Sequence, residues 1–341
     1  MKYDVTIGIP VYQSESYIRM ALESALSQTY SSIEFLIIDD GGDDHSIDII
    51  RDIIISSPRK NDIRILSHSQ NQGVSSSRNQ IIDEAHGEYL FFMDSDDVIK
   101  KDTIFILMQN IRQYAAEIAF GSYEKIEIFG ERVVYQYPSL QLLGSDQLAC
   151  FAYRKFGGIQ ASSCNYLVRT SLLREKNLRF INTDYWEDLV FTFDLVTYIS
   201  KAVLLPDITY TYLCRKDSLS HYQERCCLSK SEILRNVKTI DYLKDSSSRL
   251  FNKAYISHRC FIIGMMDFYM ACHIIKRRKM ITPYIANSEI KAMMTHVASF
   301  RQICSFRHYR MKNLGLYLLG KLPSFLCVAT IWLVGKMKKF L

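Results

Sequence analysis

The feature that most constrains the fold is a regular alternation of apolar runs and amphipathic stretches over the first hundred residues. Short runs that are apolar throughout are typical of strands buried on both faces of a sheet, and helical periodicity between them predicts helices covering those faces. The expected strands are Val5 to Pro10, Glu34 to Asp39, Ile63 to Leu66 and Tyr89 to Met93. The expected helices are Ile18 to Leu26, Asp44 to Ile55 and Gly73 to Ala85. This pattern predicts an α/β fold with a mostly parallel sheet flanked by helices.

Polar residues follow three of these strands at the point where each strand ends. They are Tyr12 and Glu15, then Asp39 and Asp40, then Asp94 to Asp97. Ligands of parallel sheets bind beyond the carboxyl ends of the strands. We therefore expect these side chains to converge on one crevice.

The segment Asp94-Ser95-Asp96 offers two carboxylates on one side of an extended chain, since side chains at positions i and i+2 share a face. Such a pair can hold Mg²⁺ or Mn²⁺, which keep their other positions for water and substrate phosphates. Crowded carboxylates without a cation would raise one another's pKa at a cost in stability. The alternative is that Asp96 or Asp97 only caps the helix that follows.

After Lys101 the pattern is mixed, and we interpret this region as the acceptor side. The expected elements are helices at 103–114 and 188–200 and a strand at 118–128. Glu187 and Asp188 lie at the start of the second helix, where carboxylates often serve only as partners of the helix dipole. A hydroxyl nucleophile needs a positioned base, however, and this is the acidic pair with aromatic neighbours outside the first half.

Beyond about Ser229 the chain becomes basic, helical and rich in Met, Tyr and Ile. The apolar stretch from Leu314 to Gly335 contains Lys321 and Pro323, so its clean run is shorter than the roughly 20 apolar residues of a spanning helix. Flanking lysines and aromatic residues are typical of segments at a membrane interface. We expect this tail to associate with a membrane surface, and a helix buried against the catalytic domain is the alternative.

Charge and cysteine content restrict the partners and the location. The net charge is +6, and most of the excess lies late in the chain among apolar residues, which suits an anionic lipid surface better than nucleic acid. The nine cysteines lack metal-ligand spacing and are expected to be reduced thiols. The first twelve residues lead into a strand without a leader pattern. These features predict a cytoplasmic protein, peripheral or monotopic on the inner face of the cell membrane.

Several motifs in a fixed order carry a resemblance to a known family. They are Ile9-Pro10-Val11-Tyr12, Ile37-Ile38-Asp39-Asp40-Gly41, the stretch from Asn71 to Asn79, and Gly87-Glu88-Tyr89 with Asp94-Ser95-Asp96-Asp97. The sequence resembles the inverting family 2 glycosyltransferases, which have the Rossmann-like GT-A fold. The resemblance is close over about residues 3–100 and weaker as far as Asp217 to His221. It implies a donor-binding half at 1–100 and an acceptor-binding half with the catalytic base at 101–228. No motif of the family covers the tail, whose composition predicts a helical, membrane-associating extension at 229–341.

The resemblance also implies a donor site, a metal site and a base. The donor site comprises Pro10, Val11, Tyr12, Glu15, Asp39, Asp40, Arg78, Asp94 and Ser95, with Asp40 facing the nucleotide base. A divalent cation, Mn²⁺ or Mg²⁺, is held by Asp94, Asp96 and His221. The catalytic residues are Asp188, as the base, and Glu187.

The implied reaction transfers a sugar with inversion from a nucleotide diphosphate donor, expected to be a UDP-sugar. The acceptor is a hydroxyl of a saccharide or a lipid-linked saccharide, in the synthesis of cell-surface polysaccharide or glycolipid. Attack of the acceptor oxygen on the anomeric carbon displaces the nucleoside diphosphate while Asp188 takes the proton.

Two other functions stay open. A sugar nucleotidyltransferase shares the acidic metal ligands but needs a Gly-rich phosphate loop after the first strand, where this chain has Pro10-Val11-Tyr12-Gln13-Ser14. An inactive membrane protein that only binds nucleotide sugars would keep the pocket without turnover. The intact set Asp94, Asp96 and Asp188 argues against that second alternative.

Overall fold

The computed structural model describes residues 3–154, 158–183, 186–215 and 228–340. The chain forms two compact units. The first unit comprises Met1–Leu148, Ala161–Asn182 and Glu187–Leu219. The second comprises Ala149–Gln160, Thr183–Trp186 and Ser220–Leu341.

Up to residue 215, the described part of the chain forms strands interspersed with helices. The strands are β1 (Tyr3–Val11), β2 (Ile33–Asp39), β3 (Ile63–Ser67), β4 (Gly87–Phe92), β5 (Val98–Ile99), β6 (Ile118–Ile126), β7 (Arg132–Tyr135), β8 (Leu140–Leu143), β9 (Tyr166–Arg169) and β10 (Lys201–Leu213). The helices are α1 (Ile18–Leu26), α2 (Ser46–Ser56), α3 (Val74–Glu84), α4 (Thr103–Tyr114), α5 (Gln147–Arg154), α6 (Thr170–Glu175) and α7 (Glu187–Leu195).

The first unit is organised around one ten-stranded sheet in the order β3-β2-β1-β4-β9-β6-β10-β5, with β7 beside β6 and β8 beside β10. Strands β3, β2, β1 and β4 are parallel neighbours. Strand β9 runs antiparallel to both β4 and β6, and β6 is parallel to β10. The predicted α/β class is confirmed. The sheet is mixed: the predicted parallel part comprises β3, β2, β1 and β4, and antiparallel pairs begin where β9 joins β4.

The core of the first unit explains why the early elements could be predicted. Ile7, Ile9 and Phe35 on β1 and β2 are completely buried, as are Ile18 and Leu22 on the inner face of α1. Burying one such side chain contributes roughly 1.5–3 kcal/mol. The periods of strand and helix therefore appear directly in the pattern of apolar residues.

The later part differs from the expectations at several elements, and two of them bear directly on the site. The helix expected at 188–200 ends at Leu195, because the Thr197 and Tyr198 N–H groups donate to Asp194 and Leu195 carbonyls in a closing turn. Strand β10 was not predicted. Pro206 interrupts its apolar pattern, and the pairing with β6 shifts register between Leu204 and Ile208, which accommodates that proline in a strand.

The second unit is mainly helical, so the predicted C-terminal helical extension is confirmed. Its helices are α8 (Lys230–Ser246), α9 (Ile256–Arg277), α10 (Asn287–Met293), α11 (Phe300–Ser305), α12 (Arg310–Lys321) and α13 (Ser324–Met337). A short parallel pair joins β11 (Leu228–Ser229) to β12 (Ile281–Thr282). Ser229 and Glu232 form a capping box that starts α8.

The apolar stretch from Leu314 to Gly335 is divided between α12 and α13. The break falls at Leu322, whose backbone is extended because Pro323 disfavours the helical conformation of the residue before it. Within the described ranges, none of the helices combines the length and apolarity needed to cross a bilayer.

Candidate active site

The loops after β1 and β4 are joined by two serine side chains. Ser14 Oγ lies 2.7 Å from Ser95 Oγ, and the Ser14 N–H donates to Ser46 Oγ. Gln13 adopts a positive φ of 48° in the turn that leads to Ser14. This connection holds the loop after β4 beside the loop that carries Tyr12.

The other predicted donor-site residues of the first loop differ in exposure. Pro10 and Val11 are buried in β1, where Val11 pairs with Asp39 of β2. The Tyr12 side chain is exposed. Glu15 is also exposed, and its carboxylate accepts the His45 N–H at 3.1 Å. Tyr12 and Glu15 are therefore the members of this group that a ligand can reach.

The adjacent carboxylates Asp39 and Asp40 lie in different environments. Asp40 is buried, and its two oxygens accept the N–H groups of Gln72 and Gly73 at the start of α3. His68 Nδ1 lies 2.6 Å from the same carboxylate. Asp39 is half-buried and accepts the Gly41 N–H. Asp40 thus fixes the α3 loop from inside, and Asp39 is the more accessible of the two.

Three carboxylates gather in the loop after β4. Oxygen atoms of Asp94, Asp96 and Asp97 lie within 4.8 Å of one another. Burial, followed by the negative charge of Asp94, raises the pKa of Asp96 above its ordinary value. The same causes, with Asp96 added, raise the pKa of Asp97 well above the ordinary range. This acidic loop therefore concentrates negative charge that the folded protein alone leaves partly uncompensated.

Residues near the end of β10 complete the acidic loop. The short β5 pairs with β10, which brings the Tyr210 hydroxyl within 2.7 Å of Asp97 Oδ2. The Leu213 N–H donates to Asp97 Oδ1. Arg215 forms an ion pair with Asp96, and its guanidinium group lies 4.7 Å from the centre of the Tyr17 ring.

Arg78 links the acidic loop to the acidic pair at the start of α7. Its side chain is 3% exposed. Nη2 lies 2.8 Å from Asp94, and Nη1 lies 3.0 Å from Glu187 and 2.7 Å from Asp188. Although burial alone lowers the pKa of Arg78, Asp188 and Asp94 raise it well above the ordinary value. One buried guanidinium group thus holds carboxylates from two distant segments together.

The acidic pair itself is set up to hold a proton. Burial, and then the charge of Asp188, raises the pKa of Glu187 to about 7. Burial also raises the pKa of Asp188, against the opposing effects of Arg78 and of the Ser163 hydroxyl, which donates to Asp188 Oδ1 at 2.6 Å. A carboxylate with a raised pKa is a stronger base near neutral pH than an exposed one.

The acidic loop has the chemistry of a divalent-cation site. Both Asp97 oxygens are engaged by Tyr210 and Leu213, which leaves Asp94 and Asp96 as the ligand candidates. Their hard carboxylate oxygens suit Mg²⁺ or Mn²⁺, and a cation would stabilise the charged forms that burial and the neighbouring carboxylates disfavour. The residues therefore fit the expected metal. His221, the third predicted ligand, lies outside the described residues.

Among the residues of this site that sequence reasoning missed are Ser163, Tyr210 and Arg215. Their positions depend on where β9 and β10 enter the sheet. Arg215 lies two residues before Asp217, where the last stretch reached by the weaker part of the family resemblance begins. That proximity was the available signal for Arg215, and no comparable signal exists for Ser163.

The fold and this site define the class of nucleotide-sugar transferases with the GT-A fold. The chain belongs to glycosyl transferase family 2, whose family model matches residues 6–175. An uncharacterised glycosyltransferase of Haemophilus influenzae is 30% identical over 200 residues, which cover 59% of this chain and 74% of that protein.

Two solved structures share the fold. Staphylococcus aureus TarS 1–349, in complex with UDP-GlcNAc, aligns over 93% of this chain and 90% of its own with a TM-score of 0.62 at 18% identity. The Pyrobaculum calidifontis mannosyltransferase PcManGT, in complex with GDP-Man and Mn²⁺, aligns over 98% and 88% with a TM-score of 0.53 at 11% identity. The predicted enzyme class, a glycosyltransferase, is confirmed.

Proposed function

We propose that this glycosyltransferase moves a sugar from a UDP-sugar to a hydroxyl of a saccharide or lipid-linked saccharide, with inversion at the anomeric carbon. The observation that carries the proposal is the contact of buried Arg78 with Asp94 on one side and Asp188 on the other. It joins the donor-side loop to a potential base by a single side chain. The synthesis of cell-surface polysaccharide or glycolipid is the corresponding biological role.

Asp188 is assigned as the base of the reaction. Arg78 and Ser163 both donate to Asp188 Oδ1, so we assign proton uptake to Oδ2. The acceptor oxygen forms a bond to the anomeric carbon, the bond from that carbon to the diphosphate oxygen breaks, and the acceptor proton passes to Asp188. A single displacement of this kind inverts the anomeric configuration.

Glu187 and Arg78 are assigned to positioning. Arg78 fixes the orientation of the Asp188 carboxylate, and Glu187 shares the guanidinium group with it. Glu187 and Asp188 share the single positive charge of Arg78. Each carboxylate therefore keeps a higher pKa than it would have in a one-to-one ion pair with that arginine.

The donor side is assigned to the loops after β1, β2 and β4. Tyr12, Glu15 and Asp39 are the accessible residues for the nucleoside, while Pro10, Val11, Asp40 and Ser95 shape the loops that carry them. Asp94 and Asp96 are the residues that would hold a divalent cation, with His221 as a further candidate ligand. When bound, such a cation supplies Lewis-acid stabilisation of the leaving diphosphate. Arg215 adds a positive charge in the same loop region.

UDP is supported by the fold shared with TarS, whose structure contains UDP-GlcNAc. GDP is the competing nucleotide, because PcManGT shares the fold and contains GDP-Man. The test is to incubate the purified chain with UDP-Glc, UDP-Gal, UDP-GlcNAc and GDP-Man, with Mn²⁺, with Mg²⁺ and with chelator. Released nucleoside diphosphate is measured by chromatography.

Metal-dependent release of UDP from one donor is the expected result. Release of GDP alone would overturn the nucleotide assignment. Nucleotide-sugar binding without release in the presence of saccharide acceptors would favour the inactive binding protein, and formation of pyrophosphate from a nucleoside triphosphate would favour a nucleotidyltransferase. The anomeric proton coupling of the first transfer product, measured by NMR, tests inversion.

A further inference from the structure

The end of the chain has an unusual charge composition. Residues 290–341 contain nine lysines and arginines and no aspartate or glutamate. A segment with one sign of charge attracts surfaces of the opposite sign and repels copies of itself. Its partner is therefore expected to be anionic.

Helix α13 presents an apolar face to solvent. One stripe of the helix, formed by Cys327, Ile331 and Gly335, is buried in the second unit. The opposite side is exposed although it is also apolar, with Phe325 63%, Trp332 45%, Leu333 55% and Met337 76% exposed. Large side chains grouped on one exposed helix face mark an interaction site more often than isolated ones do.

Lysines border this face. Lys321 precedes α13, and Lys336, Lys338 and Lys339 lie at its end. The Lys336 ammonium group lies 4.5 Å from the centre of the Trp332 ring. A tryptophan flanked by lysines, whose alkyl chains lie along apolar surface while their ammonium groups stay in water, is typical of helices at the boundary between lipid headgroups and acyl chains.

Helix α13 is too short to span a bilayer. Its 14 residues correspond to roughly 21 Å of helix at 1.5 Å per residue. The hydrocarbon core of a bilayer is about 30 Å thick. The buried stripe also keeps one side of α13 packed on the second unit, with Phe340 beyond it against the Tyr269 ring at 4.5 Å.

We propose that α13 lies in the plane of an anionic lipid bilayer. The face formed by Phe325, Leu326, Ala329, Trp332, Leu333 and Met337 enters the headgroup region, and the flanking lysines bind lipid phosphates. A second copy of the chain is the less suitable occupant, because it would bring the same positive charge to the contact. Docking of this kind is independent of the transfer chemistry.

The test is flotation of the full-length protein with vesicles of phosphatidylcholine alone and of phosphatidylcholine with phosphatidylglycerol. We expect binding to the anionic vesicles that weakens with added salt, since surface attraction to lipid headgroups is screened. Leu333→Ser combined with Phe325→Ser should reduce the partition coefficient by more than about tenfold, because two apolar side chains no longer enter the bilayer. Lys338→Glu with Lys339→Glu should reduce binding to anionic vesicles selectively.

Phe129→Ser is the matched control, since Phe129 is 95% exposed in the first unit and its replacement should leave flotation unchanged. The fluorescence of Trp332 supplies a second readout, since it is one of only two tryptophans in the sequence. A blue shift of fluorescence on vesicle binding should be lost in Trp332→Phe while flotation is largely kept.

Equal binding to neutral and anionic vesicles, or flotation unaffected by both double variants, would overturn the proposal. A dimer in solution that Leu333→Ser converts to monomer would instead assign the face to a second copy. Circular dichroism checks that each variant folds. Donor turnover in solution is measured on the same samples, so loss of membrane binding is distinguishable from a failure of the proposed transferase reaction.

Discussion

The acidic loop after β4 and the acidic pair at the start of α7 share Arg78 but differ in how the protein treats their charge. In the loop, the protein engages both oxygens of Asp97, while Asp94 and Asp96 each place one oxygen against an arginine, Arg78 and Arg215 respectively. In the pair, burial raises the pKa of Glu187 to about 7, and Asp188 is held by Arg78 and Ser163. The first arrangement suits binding of a cation and the second suits binding of a proton. The acidic loop and the acidic pair therefore have different functions although both contact Arg78.

Replacing the base should have the largest effect on activity. We expect Asp188→Asn to reduce kcat by about 10²–10⁴-fold, the usual contribution of a positioned base. The dissociation constant for the donor should change little, because the amide keeps the shape of the side chain. Steady-state kinetics with calorimetric donor binding measures both. Asp83→Asn, an exposed carboxylate paired with Arg179, is the control, and equal kcat values for the two variants would contradict the assignment.

Changes in the acidic loop should separate a metal ligand from a structural carboxylate. Asp96→Asn is expected to lower kcat by about 10²–10³-fold through lost transition-state stabilisation, and to raise the Mn²⁺ concentration needed for half-maximal activity. Asp97→Ala should instead lower the free energy of unfolding by about 1–3 kcal/mol, because Tyr210 and Leu213 lose a buried acceptor. Metal titrations and denaturant unfolding of both variants test the distinction, which fails if the two behave alike.

The acidic pair should make the stability of the first unit depend on pH. The pKa of Glu187 is about 7 when folded, against an ordinary value of 4.5. The folded state therefore binds the Glu187 proton more tightly than the unfolded state does. The stabilisation that results is complete below about pH 4.5 and is lost as the pH rises through about 7. Since glutamine cannot ionise, Glu187→Gln should be more stable than the natural chain by about 1–3 kcal/mol at pH 8 and by less at pH 5.5. Urea unfolding at both pH values measures this, and a pH-independent difference would refute it.

The smallest expected effect comes from the hydroxyl group beside the base. Ser163 donates to Asp188 and keeps its pKa lower than burial alone would set it. Ser163→Ala should therefore move the acidic limb of the kcat/KM profile to higher pH and leave the plateau nearly unchanged. The exposed Ser67→Ala provides the comparison. A lower plateau without movement of the limb would indicate a structural role for Ser163.

Local sequence patterns position the site residues that were predicted. Pairing between distant segments positions the residues that were missed. The loop from Asp94 to Asp97 follows a buried strand of continuous apolar residues, so its position at the sheet edge was visible in the local pattern. Ser163 and Tyr210 reach the site because β9 enters the sheet beside β4 and β10 pairs with β5. Those pairings link segments far apart in the chain, and neither short β9 nor β10 with its internal proline carries a clear period.

By itself, the sequence determined the α/β class, the early strands and helices, and the family. It also identified the candidate site residues Asp94, Asp96, Arg78 and Asp188. These features follow from the periodicity of apolar residues and from local motifs, both of which are properties of short segments of the chain. Only the tertiary structure decided that Asp40 is turned inward, that Arg78 connects the acidic loop to the acidic pair, and that one face of α13 remains exposed. The physical reason is that burial, ion pairing and pKa depend on which distant segments pack together, and that packing is a property of the whole fold.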